Sequence, residues 1–150
     1  MKKRLPVPTA SSAKNKSISN VSRPRSRATT SEATQVRHHI WGEVELEELN
    51  PRLKRQLVTG TDVMLARVLL KKGCVVPLHS HHNEQLSYVI EGALKFFMDE
   101  SIVTVHAGEV LTIPPHVPHE VKALRDTVTL DIFHPPRLDW INKTDSYLRK

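Results

Sequence analysis

Apolar residues recur through the second half of the chain in short runs that are separated by turn-forming residues. The runs span four to seven residues, and Gly92, Gly108 and the Pro114-Pro115 pair lie between them. Many short strands with turn signals at regular spacing are typical of a β-sandwich or barrel. The pattern therefore predicts an all-β fold with strands over residues 85–90, 93–98, 102–106, 110–113, 119–123 and 127–133.

Residues 63–70 form a longer run, VMLARVLL, that is apolar almost throughout. Such a run is expected of a strand that is covered on both faces. In a small single-domain protein, the second cover is often another subunit. We therefore expect a homodimer that buries this strand.

The segments that flank these strands are less regular. Residues 41–49 alternate apolar and acidic side chains, which fits a half-exposed strand or a short turn of helix, and residues 52–58 are ambiguous. After Pro135 the strand pattern ends. We expect residues 139–148 to pack across the barrel as a coil or a short helix.

The first 37 residues differ in composition from the rest of the chain. They hold nine of the 22 Lys and Arg residues and a single acid, Glu32, so they carry a net charge of +8 and the remaining residues −2. They have few large apolar residues and cannot bury enough surface to offset the entropy of ordering. We predict a disordered, basic Ser/Arg-rich tail over residues 1–37 and one folded domain over residues 38–150.

The composition of the tail leaves three interpretations open. It lacks the apolar core of a secretory signal but shares the Ser/Arg-rich, acid-poor composition of an organelle transit peptide. It could equally be an extended leader without function, or a basic segment that touches nucleic acid or acidic lipid. Because the pI of 9.7 is due to the tail, nucleic acid is not an expected partner of the folded domain.

Cysteine usage and hydropathy bear on the location of the protein. The single cysteine, Cys74, excludes an internal disulfide, and its place beside an apolar strand predicts a small buried hydrophobic residue. No run approaches the roughly 18 apolar residues that a membrane-spanning helix needs. We expect a cytoplasmic protein, with transit to an organelle as the alternative.

Three histidines and a glutamine follow a spacing that is suited to metal binding. His79 and His81 lie two residues apart, and side chains two apart on a strand share one face. Gln85 supplies a third donor four residues later, and His119 follows a second strand and a proline-rich turn. Neutral imidazole is the commonest metal ligand in proteins. We therefore predict one metal site formed by these four residues, the alternative being polar surface residues near turns.

The spacing of these residues resembles the first motif of the cupin superfamily. That motif runs from a glycine across five residues to H-x-H, then to a glutamate and a second glycine. The matching positions here are Gly73, His79, His81, Gln85 and Gly92, with glutamine in place of the glutamate.

A second motif of the superfamily follows at a suitable distance. It is matched by Gly108, Pro114 and His119, while His116 and Ala123 replace its glycine and asparagine. The resemblance covers the chain from Trp41 to the C-terminus. It implies a single cupin jelly-roll barrel, also described as a double-stranded β-helix.

The glutamine at position 85 has a chemical consequence. A carboxylate would cancel one unit of the charge of the metal, whereas an amide leaves a divalent ion uncompensated and more attractive to anions. Mixed nitrogen and oxygen donors suit one divalent transition metal ion, which could be Zn, Ni, Mn, Fe or Co.

Acidic, aromatic and basic side chains come together near the C-terminus. Asp131 and Phe133 share one face of a predicted strand with Thr129, and an acid on such a face is costly unless the face lines a pocket. Arg137 follows two prolines, and a guanidinium is suited to bidentate capture of a carboxylate. The alternative is an Asp–Arg surface pair that closes the sheet.

The order D-x-F-x-P-P-R, followed by D-W and a terminal Y-L-R, resembles the small cupins of the pectin-degradation KdgF type. The resemblance implies a metal-dependent enzyme that acts on a small anionic sugar and converts 4,5-unsaturated monouronates to a linear keto form. Carried over by position, the metal ligands are His79, His81, Gln85 and His119. The substrate and catalytic residues are Asp131, Phe133 and Arg137.

Other functions fit the same residues. A non-catalytic cupin could use the metal and Arg137 to sense a sugar or another anion, and a metal-dependent oxygenase would leave the Asp131 and Arg137 pair unexplained. A scaffold without metal is the remaining alternative. Of the other histidines, we expect His116 close to the ligands or the substrate, His82 facing away from them, and His106 and His134 facing solvent.

Overall fold

The computed structural model of the protein describes residues 35–150. The described part of the chain forms two antiparallel sheets and a short helical segment. The six-stranded sheet has the order β1-β2-β3-β10-β5-β8 and the four-stranded sheet has the order β4-β9-β6-β7. The strands are β1 Glu47–Asn50, β2 Leu53–Thr59, β3 Met64–Leu70, β4 Val75–His79, β5 Glu84–Glu91, β6 Ala93–Met98, β7 Ser101–His106, β8 Val110–Ile113, β9 His119–Ala123 and β10 Thr127–His134.

Side chains from both sheets meet in one apolar core, and the two sheets form the jelly-roll barrel that the sequence predicts. Met64 and Val89 from the six-stranded sheet and Leu94 and Phe96 from the four-stranded sheet are all at most 2% exposed. Gly92 makes the turn between β5 and β6 with φ of 86°, in the region that favours glycine. A Cβ at this position would lie 2.4 Å from the backbone oxygen of Asp126, so the turn packs tightly against the β10 end.

The strand predicted at residues 63–70 is present as β3, and the chain covers its inner face fully and its outer face in part. Its burial alternates, with Met64 and Ala66 fully buried and Leu65 and Leu69 half-buried on the outer face. Hydrogen bonding to β2 and β10 places β3 inside the six-stranded sheet, and its inner face meets the core. Residues 41–46 lie against part of the outer face, and any further cover would come from outside residues 35–150.

Strand pairing resolves the two segments that the sequence left open. Of residues 41–49, the last three enter the short strand β1, which continues to Asn50, and residues 41–44 form turns. The ambiguous segment 52–58 becomes β2, which pairs along its length with β3. Residues 139–148 carry helical turns as expected: α1 Leu138–Ile141 and a 3-10 turn at Ser146–Leu148.

The tail, the domain boundary at residue 38 and the cytoplasmic location stay predictions. The predicted tail falls mainly on residues 1–34, which lie outside the described residues. None of the helices within residues 35–150 has the length and apolar character needed to cross a membrane.

Candidate metal centre

Three histidines from both predicted motifs converge at one end of the barrel. His79 ends β4 and His119 begins β9, and the strand register places the two opposite each other. Potential ligand atoms of His79, His81 and His119 all lie within 4.8 Å of one another. His81 lies two residues beyond the end of β4, so the chain turn, rather than a shared strand face, brings it beside His79.

Backbone carbonyls fix the orientation of all three imidazoles. Nδ1 lies 2.8 Å from the oxygen of Pro77 in His79, 3.0 Å from that of Asn83 in His81 and 2.9 Å from that of Val117 in His119. Because a carbonyl only accepts hydrogen bonds, each Nδ1 carries the proton and each Nε2 keeps its lone pair. This is the arrangement in which a backbone carbonyl orients a metal-bound histidine.

The electrostatics of the site keep the imidazoles neutral. Burial, with a further contribution from His119, lowers the pKa of His79 to about 4. Burial and the positive charge of Arg137 lower the pKa of His81 to about 4 and also lower the pKa of His119. All three rings are therefore in the form that binds metals at neutral pH.

Gln85 places its side-chain oxygen beside the imidazole of His81. Its Oε1 lies 3.1 Å from Nε2 of His81, while its Nε2 donates a 2.9 Å hydrogen bond to Oγ of Ser87. With the proton of His81 on Nδ1, the 3.1 Å contact joins two lone-pair atoms, and a cation is the natural partner for both. The donor set of three imidazoles and one amide oxygen therefore fits a transition metal ion.

Strand β10 forms a wall next to the histidines. Its register with β5 places Phe133 opposite Gln85 and Asp131 opposite Ser87. Asp131 is 8% exposed, and the same small cavity is lined by Asp131, Phe133, His79, His119, Gln85 and Arg137. The expectation that this strand face lines a pocket is confirmed.

Asp131 is a buried carboxyl without a direct ion pair in the described chain. Burial raises its pKa to about 6, against the opposing effects of hydrogen bonds from Ser87 and Thr129 and of the charge of Arg137. The Thr129 hydroxyl donates to Oδ1 of Asp131 at 3.2 Å. A carboxyl with a pKa close to neutrality is suited to both accept and return a proton.

Arg137 forms a bidentate contact within the protein. Its Nε and Nη2 donate to the two carboxylate oxygens of Asp139 at 2.9 and 2.7 Å, so this edge of the guanidinium is already occupied. Its Nη1 is buried without a hydrogen-bond partner among residues 35–150. A ligand would therefore meet Nη1.

Sequence reasoning missed the residues that surround Arg137. Its guanidinium lies 4.8 Å from the ring of Trp140 and 5.4 Å from that of Phe133, and the hydroxyl of Tyr147 accepts a 3.0 Å hydrogen bond from Nη2. In the sequence, D-W and Y-L-R indicate only the resemblance to the KdgF-type cupins. A tyrosine and a tryptophan at the end of such a polar segment were the available signal that this segment packs into the site.

The remaining histidines lie outside the cluster. His82, His106, His116 and His134 are all exposed. His116 has φ of 66°, which explains why the second cupin motif carries glycine there, and its backbone N–H donates to the oxygen of His81 at 2.7 Å. His116 therefore supports the ligand loop through its backbone.

Comparison with known proteins agrees with this geometry. Residues 66–133 match the profile of the Cupin domain family. The pectin degradation protein KdgF of Dickeya dadantii is 28% identical over 108 residues, which span 70% of this chain and 98% of that protein.

Solved structures give the same result. An RmlC-like cupin from Shewanella frigidimarina superposes with a TM-score of 0.66 at 29% identity, covering 71% of this chain and 96% of its own. KdgF from Halomonas sp. superposes with a TM-score of 0.63 at 27% identity, covering 67% of this chain and 96% of its own. Both cupin motifs and the histidine cluster lie within residues 66–133, and the chain is similar to cupins in sequence, fold and site.

Proposed function

We propose that the protein is a metal-dependent enzyme that opens the ring of 4,5-unsaturated monouronates and converts them to the linear keto form. The observation that supports this most strongly concerns Arg137, which lines the same cavity as Asp131, His79 and His119 and whose buried Nη1 has no hydrogen-bond partner among residues 35–150. An unpaired buried cationic donor beside a metal centre is suited to an anionic ligand. The similarity to two KdgF proteins supports the substrate class.

The metal would be one divalent transition metal ion, with Zn, Ni, Mn, Fe and Co as candidates, held by His79, His81, Gln85 and His119. When bound, it supplies Lewis acidity toward a ring or hydroxyl oxygen of the ligand. The neutral imidazoles and the amide leave its charge uncompensated, which favours an anionic ligand.

The residues of the wall then have separate roles. Nη1 of Arg137 binds the uronate carboxylate, and Phe133 excludes water from one side of the cavity. Asp131 accepts the proton of the anomeric hydroxyl as the bond between C1 and the ring oxygen breaks, and it returns a proton to C4 as C5 becomes a carbonyl. The conversion is an isomerisation and needs no co-reactant.

The size of the cavity limits how the sugar is placed. Its volume is about 40 Å³, which is enough for an ion and a few ligand atoms. In this proposal the reacting end of the sugar enters the cavity and the remaining hydroxyls lie at its mouth.

The test is the ultraviolet absorbance of unsaturated galacturonate mixed with the metal-loaded protein. We expect accelerated loss of the absorbance of the conjugated enol acid, and we expect a chelator to abolish it. Asp131→Ala should remove the acceleration while metal binding persists. Full activity of Asp131→Ala would exclude its role in proton transfer.

The same experiment separates the alternative functions. Saturable binding of the sugar without product would identify a sensing protein. Consumption of oxygen during aerobic turnover would identify an oxygenase. Neither result is expected from the isomerisation.

We also propose that the protein is a homodimer formed through the outer face of the six-stranded sheet. Strand registers align Val58, Leu65, Ile132 and Leu86 in one row across four strands. A neighbouring row begins with Gln56 and Arg67 and continues through Leu130 to Tyr88 and Val110, which are 38% and 56% exposed. The apolar part of this sheet face is suited to a second copy of the same face.

Light scattering in solution tests the dimer. We expect a mass of twice the 17.0 kDa chain and a monomer for Tyr88→Glu, because a charge would be buried at the interface. The control is Ile102→Glu at a residue that is 61% exposed on the other sheet, which should stay dimeric. A monomeric wild type would exclude the proposal.

A further inference from the structure

Tyr147 contacts both halves of the candidate site. Its ring stacks on that of His79, with 5.0 Å between the ring centroids and 29° between the planes. Its hydroxyl accepts hydrogen bonds from Nη2 of Arg137 at 3.0 Å and from Nε1 of Trp140 at 3.4 Å. One side chain near the C-terminus therefore joins a metal ligand to the residue that would bind the anion.

The hydroxyl of Tyr147 is one of the contacts that fix the orientation of the Arg137 guanidinium. A guanidinium has five N–H donors. Nε and one hydrogen of Nη2 go to Asp139, and the other hydrogen of Nη2 goes to Tyr147. The two hydrogens of Nη1 remain, and they are buried without a partner in the described chain. The contacts thus decide which edge of Arg137 a ligand meets.

The segment that carries Tyr147 is anchored away from the metal centre. Asp145 is 2% exposed and accepts a 2.5 Å hydrogen bond from Nη1 of Arg55 on β2. Leu148 is buried in the core, and its backbone oxygen accepts a 2.9 Å hydrogen bond from Asn50. Because these contacts do not involve the hydroxyl of Tyr147, the hydroxyl can be removed while the segment stays in place.

We propose that Tyr147 is a positioning residue with two separable parts. The hydroxyl fixes Arg137 so that Nη1 faces the ligand, and the ring fixes the plane of His79. Binding of an anion by Nη1 rests on the function proposed above, whereas the two positioning contacts do not.

The role of the hydroxyl is tested with Tyr147→Phe, which keeps the ring. In the Zn²⁺-loaded wild type we expect slowly exchanging guanidinium signals of Arg137 in proton–nitrogen NMR spectra, and in Tyr147→Phe we expect them to broaden. The affinity for D-galacturonate, measured by calorimetry, should fall about tenfold, as expected for the loss of a hydrogen bond to a charged group.

The two readouts separate this proposal from the function. Guanidinium signals in Tyr147→Phe that match those of the wild type would overturn the role of the hydroxyl. Altered signals in a protein that neither binds galacturonate nor converts unsaturated galacturonate would support the positioning and reject the proposed function.

The role of the ring is tested with Tyr147→Leu and the visible spectrum of the Co²⁺-loaded protein, since Zn²⁺ has no such spectrum. We expect changed bands and a severalfold lower Co²⁺ affinity in Tyr147→Leu, and wild-type bands in Tyr147→Phe. The matched control is Ser146→Ala at the exposed neighbouring residue, which should change neither. A wild-type spectrum for a folded Tyr147→Leu would overturn the role of the ring.

Discussion

Two buried arginines, Arg55 and Arg137, lie against the same indole ring but differ in their hydrogen-bond partners. The guanidinium of Arg55 lies 4.6 Å from the ring of Trp140, and that of Arg137 lies 4.8 Å from it. Arg55 is 0% exposed and Arg137 2%. Both have the same burial and the same aromatic neighbour, so their partners alone distinguish them.

The partners of Arg55 match its charge and its geometry. Nε donates to Glu47 at 2.9 Å, Nη1 to Asp145 at 2.5 Å and Nη2 to the oxygen of Trp140 at 3.4 Å. Arg137 has one carboxylate, Asp139, and the orphan Nη1. Since an unpaired buried donor is costly, the comparison supports the proposal that Arg137 binds a ligand, whereas Arg55 has its partners within the fold.

The largest expected effect follows from removing the matched arginine. Arg55→Met leaves buried Asp145 with Arg149 as its remaining cationic partner and takes one cationic partner from Glu47, which should lower the free energy of unfolding by about 3 kcal/mol. Urea denaturation measures this change. Adding Asp145→Asn should restore part of the loss, and a single variant as stable as the wild type would contradict the structural role.

The next effect is expected in activity rather than stability. Arg137→Met should reduce kcat/KM by about 10²–10³, comparable to the loss of a charge-stabilising donor in an active site. Its free energy of unfolding should fall by only about 1 kcal/mol, because Asp139 is partly exposed and can be hydrated. If Arg137→Met destabilised the protein as much as Arg55→Met, the two arginines would not differ in role.

The contrast between the arginines also shows what sequence alone could predict. Strand alternation places Asp131 and Phe133 on one face, and the spacing of the two motifs singles out the three histidines, although it does not show how they come together. Arg55 could not be recognised, since its partner Asp145 is 90 residues away and the segment around it was ambiguous. Its place between Leu53 and Leu57 on an alternating strand was the one available signal.

The contact between Arg137 and Asp139 could not be predicted, for the same reason. The spacing of Pro136 and Arg137 indicates a fixed backbone, but it does not show that Asp139, two residues later, turns back onto the guanidinium. Likewise β4 ends at His79, so the convergence of His79 and His81 depends on a turn. Such contacts arise from tertiary packing, which periodicity does not contain.

Two buried aspartates extend the comparison and predict a pH dependence. Asp145 faces Arg55, whereas burial raises the pKa of Asp131 to about 6. As pH rises through this value, Asp131 ionises and can accept a proton, so kcat/KM should rise. From pH 7 to pH 5 it should fall by at most about tenfold.

Metal and substitution controls sharpen this pH dependence. A bound divalent cation favours the ionised form of Asp131. The acidic limb of kcat/KM in the metal-loaded enzyme should therefore lie at lower pH than the titration of Asp131 in the metal-free protein, which carbon NMR can follow. The cost of ionising the buried carboxyl should lower stability as pH rises from 3.8 toward 6, and Asp131→Asn should remove this component. If Asp131→Asn left the acidic limb of kcat/KM unchanged, another group would be responsible for that limb.

The smallest effect is expected at an exposed histidine. His134→Gln should change the free energy of unfolding by less than about 0.5 kcal/mol and leave kcat/KM unchanged, since its side chain is exposed beside the cavity strand. Denaturation and the absorbance assay check both values. A large loss of activity would extend the site beyond the residues assigned to it.

Native mass spectrometry shows whether His79, His81, Gln85 and His119 form one metal centre. After reconstitution, the wild type should carry one divalent ion per chain, and His119→Ala should carry none. The matched control His116→Ala, at an exposed residue of the same turn, should keep the ion. A wild type that binds none of Zn, Ni, Mn, Fe or Co, or a His119→Ala variant that binds as tightly as the wild type, would exclude this metal centre.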